Sequence, residues 1–396
     1  MNPRLHLLQP YPFEKLRKLF EGTAPTAALA HISLGIGEPR HPTPDLVKRA
    51  LTESLAKLAG YPPTAGSDAL RQAIADWLVR RYRLRAIDWK TEVLPVNGSR
   101  EALFAFAQTV IDPARGEPVV ICPNPFYQIY EGAALLAGAR PHYVNTTVDT
   151  GFGADYASVP EEAWRRTQLL YVCSPGNPTG KVLGLEQWKE IFALSDRHGF
   201  VIASDECYSE IYFDEAAAPL GALQAASELG RGFERLVVFS SLSKRSNVPG
   251  MRSGFVAGDA AILKAFLLYR TYHGGAMNPA VQDASAAAWR DEDHVRENRR
   301  KYAEKFDKIT PLMQSALRLE RPDAGFYLWA RTPIADTEFA RRLYAEQHVT
   351  VLPGSFLARE SGGVNPGANY IRMALVAEID ECLEAARRVV EFARRL

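Results

Sequence analysis

Between residues 93 and 260 the chain repeats one pattern: a short apolar run, a cluster of Gly, Pro, Asn or Ser, then a stretch of helical periodicity. The apolar runs fall at 93–96, 119–122, 169–173, 200–204, 236–239 and 254–257. Short, continuously apolar runs bounded by turn residues are what strands buried on both faces require. Strands that alternate with helices predict an α/β fold, with a parallel or mostly parallel sheet between two helical layers. Ligands of such sheets bind outside the carboxyl ends of the strands. The residues that follow each run are therefore the first place to look for chemistry.

Those strand ends are unusually polar. Asn97-Gly98-Ser99-Arg100 opens a helix carrying Leu103, Phe106, Ala107 and Val110 on one face. Pro123-Asn124-Pro125-Phe126-Tyr127 follows the second run, Ser174-Pro175-Gly176-Asn177-Pro178-Thr179-Gly180 the third, and Asp205-Glu206-Cys207-Tyr208 the fourth. After the fifth comes Ser240-Ser241-Leu242-Ser243-Lys244, with Arg252 eight residues on.

The flanks differ in character. Residues 1–30 hold Pro10-Tyr11-Pro12-Phe13 and a short amphipathic stretch, and read as an arm that packs on another body, such as a partner subunit. Gly35-Ile36-Gly37-Glu38-Pro39 lets the backbone approach a ligand or merely makes a tight turn. Tyr61 to Ser67 forms a loop capping a helix whose Leu70, Ala73, Ile74, Trp77 and Leu78 stripe is core. Beyond residue 290 come a long charged helix, strands near 325–329 and 370–375, and a C-terminal amphipathic helix, an α+β pattern. The expected organisation is an arm at 1–30, a large domain at 45–285, and a smaller α+β domain formed by 31–44 and 286–396.

Composition excludes several classes of partner. With 47 basic and 46 acidic residues, the net charge of +1 gives no general attraction to nucleic acid or an anionic membrane. No apolar run approaches a membrane span, and no signal-peptide core opens the chain. The four cysteines include no C-x-x-C pair and lie in or beside apolar segments, which fits reduced thiols and a cytoplasmic location. No metal-ligand spacing is present.

The strand-end groups together suit one cofactor. Gly98-Ser99-Arg100 at a helix start offers free backbone N–H groups, and Ser241, Ser243 and Arg252 add hydroxyls and a guanidinium, which makes an anion site. Tyr127 can cover a flat ring. Asp205 is a carboxylate at the end of an apolar strand, where burial demands a cationic partner. Asn177 and Tyr208 supply hydrogen-bond donors, and Lys244 is the one lysine of the set. A phosphate cradle, a ring stacker, a buried carboxylate and a primary amine are what pyridoxal phosphate needs. Each loop alone also has a structural account, Ser174 to Pro178 as a turn and Asp205 as a helix cap.

From Gly35 to Arg372 the chain resembles the class I/II, fold-type I aminotransferases. Asn177-Pro178-Thr179-Gly180, Asp205-Glu206-x-Tyr208 and Ser241-x-Ser243-Lys244 with Arg252 match the family's motifs in the family's order. The resemblance implies that Lys244 forms the Schiff base with the cofactor and shuttles the proton, and that Asp205 pairs with the pyridinium. Asn177 and Tyr208 would hold the ring hydroxyl, Tyr127 would stack, and the Ser99 and Arg100 N–H groups, Ser241, Ser243 and Arg252 would surround the phosphate. Gly37 and Arg372 match the groups that hold the substrate α-carboxylate, Arg372 by a bidentate contact. Family members are homodimers in which a tyrosine of the other subunit reaches the phosphate, and Tyr61 matches that tyrosine. Amino acid and 2-oxo acid substrates are implied, with ping-pong kinetics.

The opening Asn2-Pro3-Arg4-Leu5, Pro10 to Leu16, Gly37 to Pro44 and Asn247 to Gly254 resemble the succinyldiaminopimelate aminotransferases more closely. The implied reaction exchanges an amino group between N-succinyl-LL-2,6-diaminoheptanedioate and 2-oxoglutarate in lysine biosynthesis. That donor's additional carboxylates call for further cations at the mouth, and Arg40 and Arg270 are candidates, each with a surface role as the alternative. Tyr at position 127, in place of Trp, separates the chain from aspartate aminotransferases. Alternatives are an aminotransferase for succinylornithine, aromatic amino acids or aspartate, and a lyase or decarboxylase on the same scaffold. A cofactor-binding sensor module would need a DNA-binding segment, and a nucleotide-binding enzyme would need Gly-rich phosphate motifs; the chain has neither.

Overall fold

The computed structural model describes residues 1–396. Its centre is a seven-stranded sheet in the order Val93–Val96, Gly254–Gly258, Leu236–Ser241, Val201–Asp205, Thr167–Cys173, Val119–Asn124 and Arg140–Asn145. Gly254–Gly258 runs antiparallel to both neighbours, and the other pairings are parallel. All six apolar runs are strands of this sheet. The seventh, Arg140–Asn145, has no continuous apolar run because it lies at the sheet edge, where its residues are mostly half-buried or exposed.

Side chains along these strands alternate between two cores, as the pleat requires. Val119, Ile121, Leu170, Val172 and Val238 enter one core with Trp77, Trp188 and Trp289. Val120, Cys122, Leu169, Tyr171, Val237 and Phe239 enter the other with Phe106, Tyr130 and Phe266. Helices Asp68–Tyr82, Leu185–His198 and Pro279–Arg290 cover the first face, and Ser99–Val110, Ile129–Ala137 and Ala260–His273 the second. Both faces are dry, so nearly every strand residue can be apolar. The Ser67 hydroxyl caps Asp68–Tyr82 by accepting from the Leu70 N–H at 3.3 Å, a contact worth about 1 kcal/mol.

A third core lies apart from these. It is built from the helices Asp293–Gln314, Asp336–Gln347 and Ile379–Ala393 and an antiparallel sheet in the order Leu352–Pro353, Tyr370–Ala374, Tyr327–Arg331 and Arg318–Leu319. Ile32–Ser33 pairs with Val349–Thr350, so Ile32 and Leu34 bury in this core. We propose on that ground that 31–44 and 291–396 form one domain and 45–290 the other, a boundary five residues beyond the expected one at 285. Ala286, Ala288 and Trp289 pack in the first core, which places the edge of the large domain at the end of Pro279–Arg290.

The arm differs from expectation. Its amphipathic stretch is a helix, Pro12–Leu19, whose Leu16 packs on Trp329, Leu352 and Leu357 of the same chain. The stripe of this helix packs within the chain, while Leu5, Leu7 and Leu8 earlier in the arm stay exposed. No helix is long and apolar enough to cross a membrane.

Candidate active site

The strand ends and the third core meet around a cavity of about 480 Å³, within the range of small-molecule sites. Lys244, Asp205, Asn177, Tyr208, Tyr127, Ser99, Arg100, Ser241, Ser243, Arg252, Gly37 and Arg372 all line it. The chain's sequence places them over more than three hundred positions, and the fold collects them because each follows a strand or flanks the junction of the two units. Tyr61 alone does not line it; its side chain is fully exposed on a loop.

One end of the cavity is built for an anion. Gly98, with φ of 83°, leads into the helix Ser99–Val110, whose first N–H groups have no intrahelical acceptor. A Cβ on Gly98 would collide with the Arg252 guanidinium, so only glycine lets that cation lie against the helix start. Arg252 donates to the Pro249 carbonyl at 2.9 Å and pairs with no carboxylate. Ser99 accepts from the Cys207 thiol at 3.0 Å, and Ser241 lies at 3.8 Å from the same sulfur. A helix N-terminus, hydroxyls and an unpaired guanidinium fit a phosphate.

The middle of the cavity holds the carboxylate and the lysine. Asp205 is only 4% exposed. Tyr130 donates to its Oδ2 at 2.6 Å and the Cys207 N–H to its Oδ1 at 3.2 Å. Burial pushes the Asp205 carboxyl above its ordinary range, while those hydrogen bonds and the nearby Lys244 pull it back. A buried acid with oxygens oriented from behind and a cavity in front suits a cationic ring nitrogen. Lys244 sits on the short helix Leu242–Arg245, whose Lys244 carbonyl accepts from the Asn298 amide at 3.3 Å; its ammonium pairs with no acid.

The far wall comes from the smaller unit. Arg372 is 4% exposed. It donates to Asn177 Oδ1 and to the Gly35 carbonyl, each at 3.0 Å, and its Nε has no partner. The guanidinium lies 4.3 Å from the Tyr327 ring centroid. Tyr327 and Tyr208 hydroxyls are 3.0 Å apart. Burial and then Tyr327 push the Tyr208 phenol well above its ordinary value. An orphaned guanidinium nitrogen facing a cavity suits a carboxylate.

Two expected cations do not belong here. Arg40 donates to Glu381 at 3.0 Å on the surface, away from the cavity. Arg270 is completely buried and holds Glu101 through contacts of 2.6 and 2.8 Å, so it is neither a surface nor a mouth residue. The cation that does face the cavity is Arg100, whose Nε donates to the Tyr127 hydroxyl at 2.7 Å and whose Nη2 lies 3.5 Å from the Tyr11 hydroxyl. Its pairing is with phenols alone, which leaves its charge uncompensated. Tyr11, Tyr130 and Tyr327 were invisible in the sequence as site residues. Tyr11 sits within the Pro10-Tyr11-Pro12-Phe13 stretch and Tyr327 in a run read as a strand, and neither pattern marks a ligand.

A family model for aminotransferases of class I and II matches residues 30–388. The chain belongs to that family. Its members depend on pyridoxal phosphate, and so does this aminotransferase. The LL-diaminopimelate aminotransferase of Desulforudis audaxviator is 32% identical over 392 residues, covering 98% of this chain and 96% of that protein. Among solved structures, an aminotransferase from Neisseria meningitidis superposes with a TM-score of 0.97 at 54% identity, covering 100% of both chains. A probable N-succinyldiaminopimelate aminotransferase from Thermus thermophilus gives a TM-score of 0.84 at 29% identity, covering 96% of this chain and 98% of that one. The expected mostly parallel sheet and the aminotransferase activity agree with these likenesses.

Proposed function

We propose that this aminotransferase acts on a diaminopimelate-type amino acid, whose second carboxylate lies far from the reacting carbon, with 2-oxoglutarate as the amino acceptor. The observation that supports it is the pair of cations facing one cavity, Arg372 at its far wall and Arg100, lacking any acid partner, at its mouth. A monocarboxylic or aromatic donor would leave the Arg100 charge at the mouth without an anion to hold. The names of the curated relatives favour diaminopimelate, while among solved structures one name gives the N-succinylated form and another, at 27% identity, an aromatic aminotransferase. The succinylated donor expected from the sequence is thus one member of the proposed class.

When bound, pyridoxal phosphate supplies an aldehyde that joins a primary amine and a ring that accepts electrons from the substrate α-carbon. In our assignment the Ser99 and Arg100 N–H groups, Ser241, Ser243 and Arg252 hold the phosphate, and Tyr127 covers the ring. Asp205 keeps the ring nitrogen protonated, and Asn177 and Tyr208 bind the phenolic oxygen. Arg372 and the Gly37 backbone fix the α-carboxylate, which orients the Cα–H bond toward Lys244. Lys244 Nζ holds the cofactor at rest and carries the α-proton during turnover. Donor and acceptor use the same carboxylate clamp in turn, which requires ping-pong kinetics. A second subunit contributes Tyr61, whose exposure on its own chain leaves it available for that contact.

The test is a panel of amino donors with 2-oxoglutarate, read by glutamate formation: LL-diaminopimelate, its N-succinyl derivative, succinylornithine, aspartate and phenylalanine. Turnover of either diaminopimelate compound at a kcat/KM at least about tenfold above the others supports the proposal. Preference for phenylalanine or aspartate overturns it, and intersecting initial-rate plots overturn the ping-pong assignment. Consumption of the donor without a need for 2-oxoglutarate and without glutamate formation would favour the lyase alternative.

A further inference from the structure

Tyr327 lines the cavity, neither motif nor resemblance assigns it a role, and it touches three groups of the proposed machinery, Tyr208, Arg372 and Gly37. It lies on the strand Tyr327–Arg331, paired antiparallel with the strand that carries Arg372, so both point from one sheet into the cavity. Three of its contacts are specific. Its hydroxyl is 3.0 Å from the Tyr208 hydroxyl. Its ring lies 4.3 Å from the Arg372 guanidinium. Its hydroxyl also packs so closely on Gly37 that a Cβ at position 37 would overlap it.

The direction of the hydroxyl pair follows from proton supply. Each phenol carries a single proton. Tyr208 is the residue assigned to the cofactor's phenolic oxygen, and to donate there it must spend its own proton. The contact between the two hydroxyls then requires Tyr327 to be the donor. No other side-chain or backbone group within hydrogen-bond reach competes for the Tyr327 proton. The cation over its ring face strengthens it as a donor, and donation into the Tyr208 oxygen polarises the next bond in the chain.

We propose that Tyr327 is a positioning residue that couples the two walls of the site, its hydroxyl aiming the Tyr208 proton at the cofactor's phenolic oxygen while its ring supports the Arg372 guanidinium. This rests on the assignment of Tyr208 and Arg372 above. It also gives Gly37 a steric reason: the residue beside the carboxylate clamp must lack a side chain because Tyr327 occupies that space.

The experiment separates the hydroxyl from the ring. The holoenzyme's visible cofactor band is titrated with pH for the wild type, Tyr208→Phe, Tyr327→Phe and the double variant. A donor to the phenolic oxygen stabilises its ionised form, so losing Tyr208 should raise the titration midpoint by about one to two units. Losing the Tyr327 hydroxyl should raise it by roughly 0.3 units, the share expected of a cooperative second bond, and the double variant should match Tyr208→Phe alone. A downward or absent shift in Tyr327→Phe overturns the donor role. An additive shift in the double variant overturns transmission through Tyr208. An unmoved midpoint in Tyr208→Phe would instead overturn the site assignment on which the proposal stands.

The ring is tested by kinetics. Tyr327→Leu, compared with Tyr327→Phe, should raise KM for the amino donor roughly five- to thirtyfold with kcat changed far less, from a cation–π contact in a desolvated setting. Equal KM values in the two variants overturn the ring's role. Thermal denaturation of each holoenzyme confirms that the folded state is being compared.

Discussion

The two walls of the cavity are built in opposite ways. The wall at the large sheet consists of groups that stand directly after their strands: Ser99 after Val93–Val96, Asp205 at the end of Val201–Asp205, Lys244 just past Leu236–Ser241. The wall of the smaller unit is assembled from segments distant in the chain. Gly35 and Gly37, Tyr327 and Arg372 meet only because Ile32–Ser33 pairs with Val349–Thr350 and Tyr327–Arg331 with Tyr370–Ala374. A rigid, dry sheet fixes the first wall to within its own hydrogen-bond ladder. The second depends on how two cores sit against each other. Chemistry that tolerates no displacement therefore belongs on the first wall, and substrate binding on the second.

That division predicts different failures. In the proposed assignment Lys244→Ala removes both the covalent anchor and the proton carrier, and should lower kcat by at least about 10⁴-fold. The same variant should lose the visible absorbance that borohydride reduction traps. Asp205→Asn keeps the shape but not the charge and should cost roughly 10²- to 10³-fold in kcat. Both should leave KM nearly unchanged, measurable for Asp205→Asn by steady-state kinetics. Large KM effects from either variant would break the division between walls.

On the second wall the order reverses. Arg372→Ala removes a buried bidentate donor from a carboxylate, a loss of about 3 kcal/mol or more, and should raise KM for donor and acceptor alike by roughly 10²-fold. Gly37→Ala is the smaller perturbation: its Cβ overlaps the Tyr327 hydroxyl, and the displacement should lower kcat/KM by about ten- to a hundredfold. Pairing Gly37→Ala with Tyr327→Phe should recover only a small part of that loss, since ring carbons Cζ and Cε1 as well as the hydroxyl crowd the added Cβ. Full recovery would mean that the hydroxyl alone sets the steric limit at position 37.

The same contrast explains what the sequence made legible. Alternating apolar runs exposed six of the seven strands, and the polar residues after them line one cavity, because in a doubly covered sheet position along the chain predicts position in space. The edge strand Arg140–Asn145 was hidden because half-exposed strands have no apolar run. The second wall was legible only in part. Arg372 and Gly37 came through resemblance to a family, and Tyr327 not at all, since an aromatic in a strand is indistinguishable from core until its neighbours are known. Arg40 and Arg270 failed for the reason that a sequence shows charge but not its partner. Each has a carboxylate, Glu381 and Glu101, that lies hundreds or scores of residues away. Arg100 showed its place at a helix start, while its side chain turned out to face the cavity with only phenols as partners.

A buried polar cluster behind the second wall offers the finest test of how the walls are joined. Lys305, on the long helix Asp293–Gln314, is 1% exposed and has no carboxylate partner. Its ammonium donates to His41 Nε2 at 2.7 Å and to the Leu375 carbonyl at 3.2 Å. His41 Nδ1 lies 2.8 Å from Asn298 Oδ1, and the amide of the same Asn298 reaches the Lys244 carbonyl. Asn298 Oδ1 also accepts from the Asn247 amide at 3.0 Å, which makes Nδ1 the protonated ring nitrogen and leaves Nε2 as the acceptor. Burial pushes the Lys305 ammonium down to about 8 from 10.5, with Cys382 and Glu378 opposing and Lys301 assisting. Between those values the unfolded chain binds more protons than the folded one at this site, so the contribution of Lys305 to stability rises with pH. The penalty for keeping it charged is fully present below pH 8 and is relieved toward pH 10.5, a gain of up to about 3 kcal/mol. Urea midpoints at pH 8 and pH 10 should therefore diverge between the wild type and Lys305→Met, the wild type gaining relative to the variant as pH rises. Parallel pH profiles would mean that the lysine is charged throughout, its ammonium held by His41, Leu375 and the Tyr302 ring beneath it, and that the junction behind Lys244 is a fixed strut.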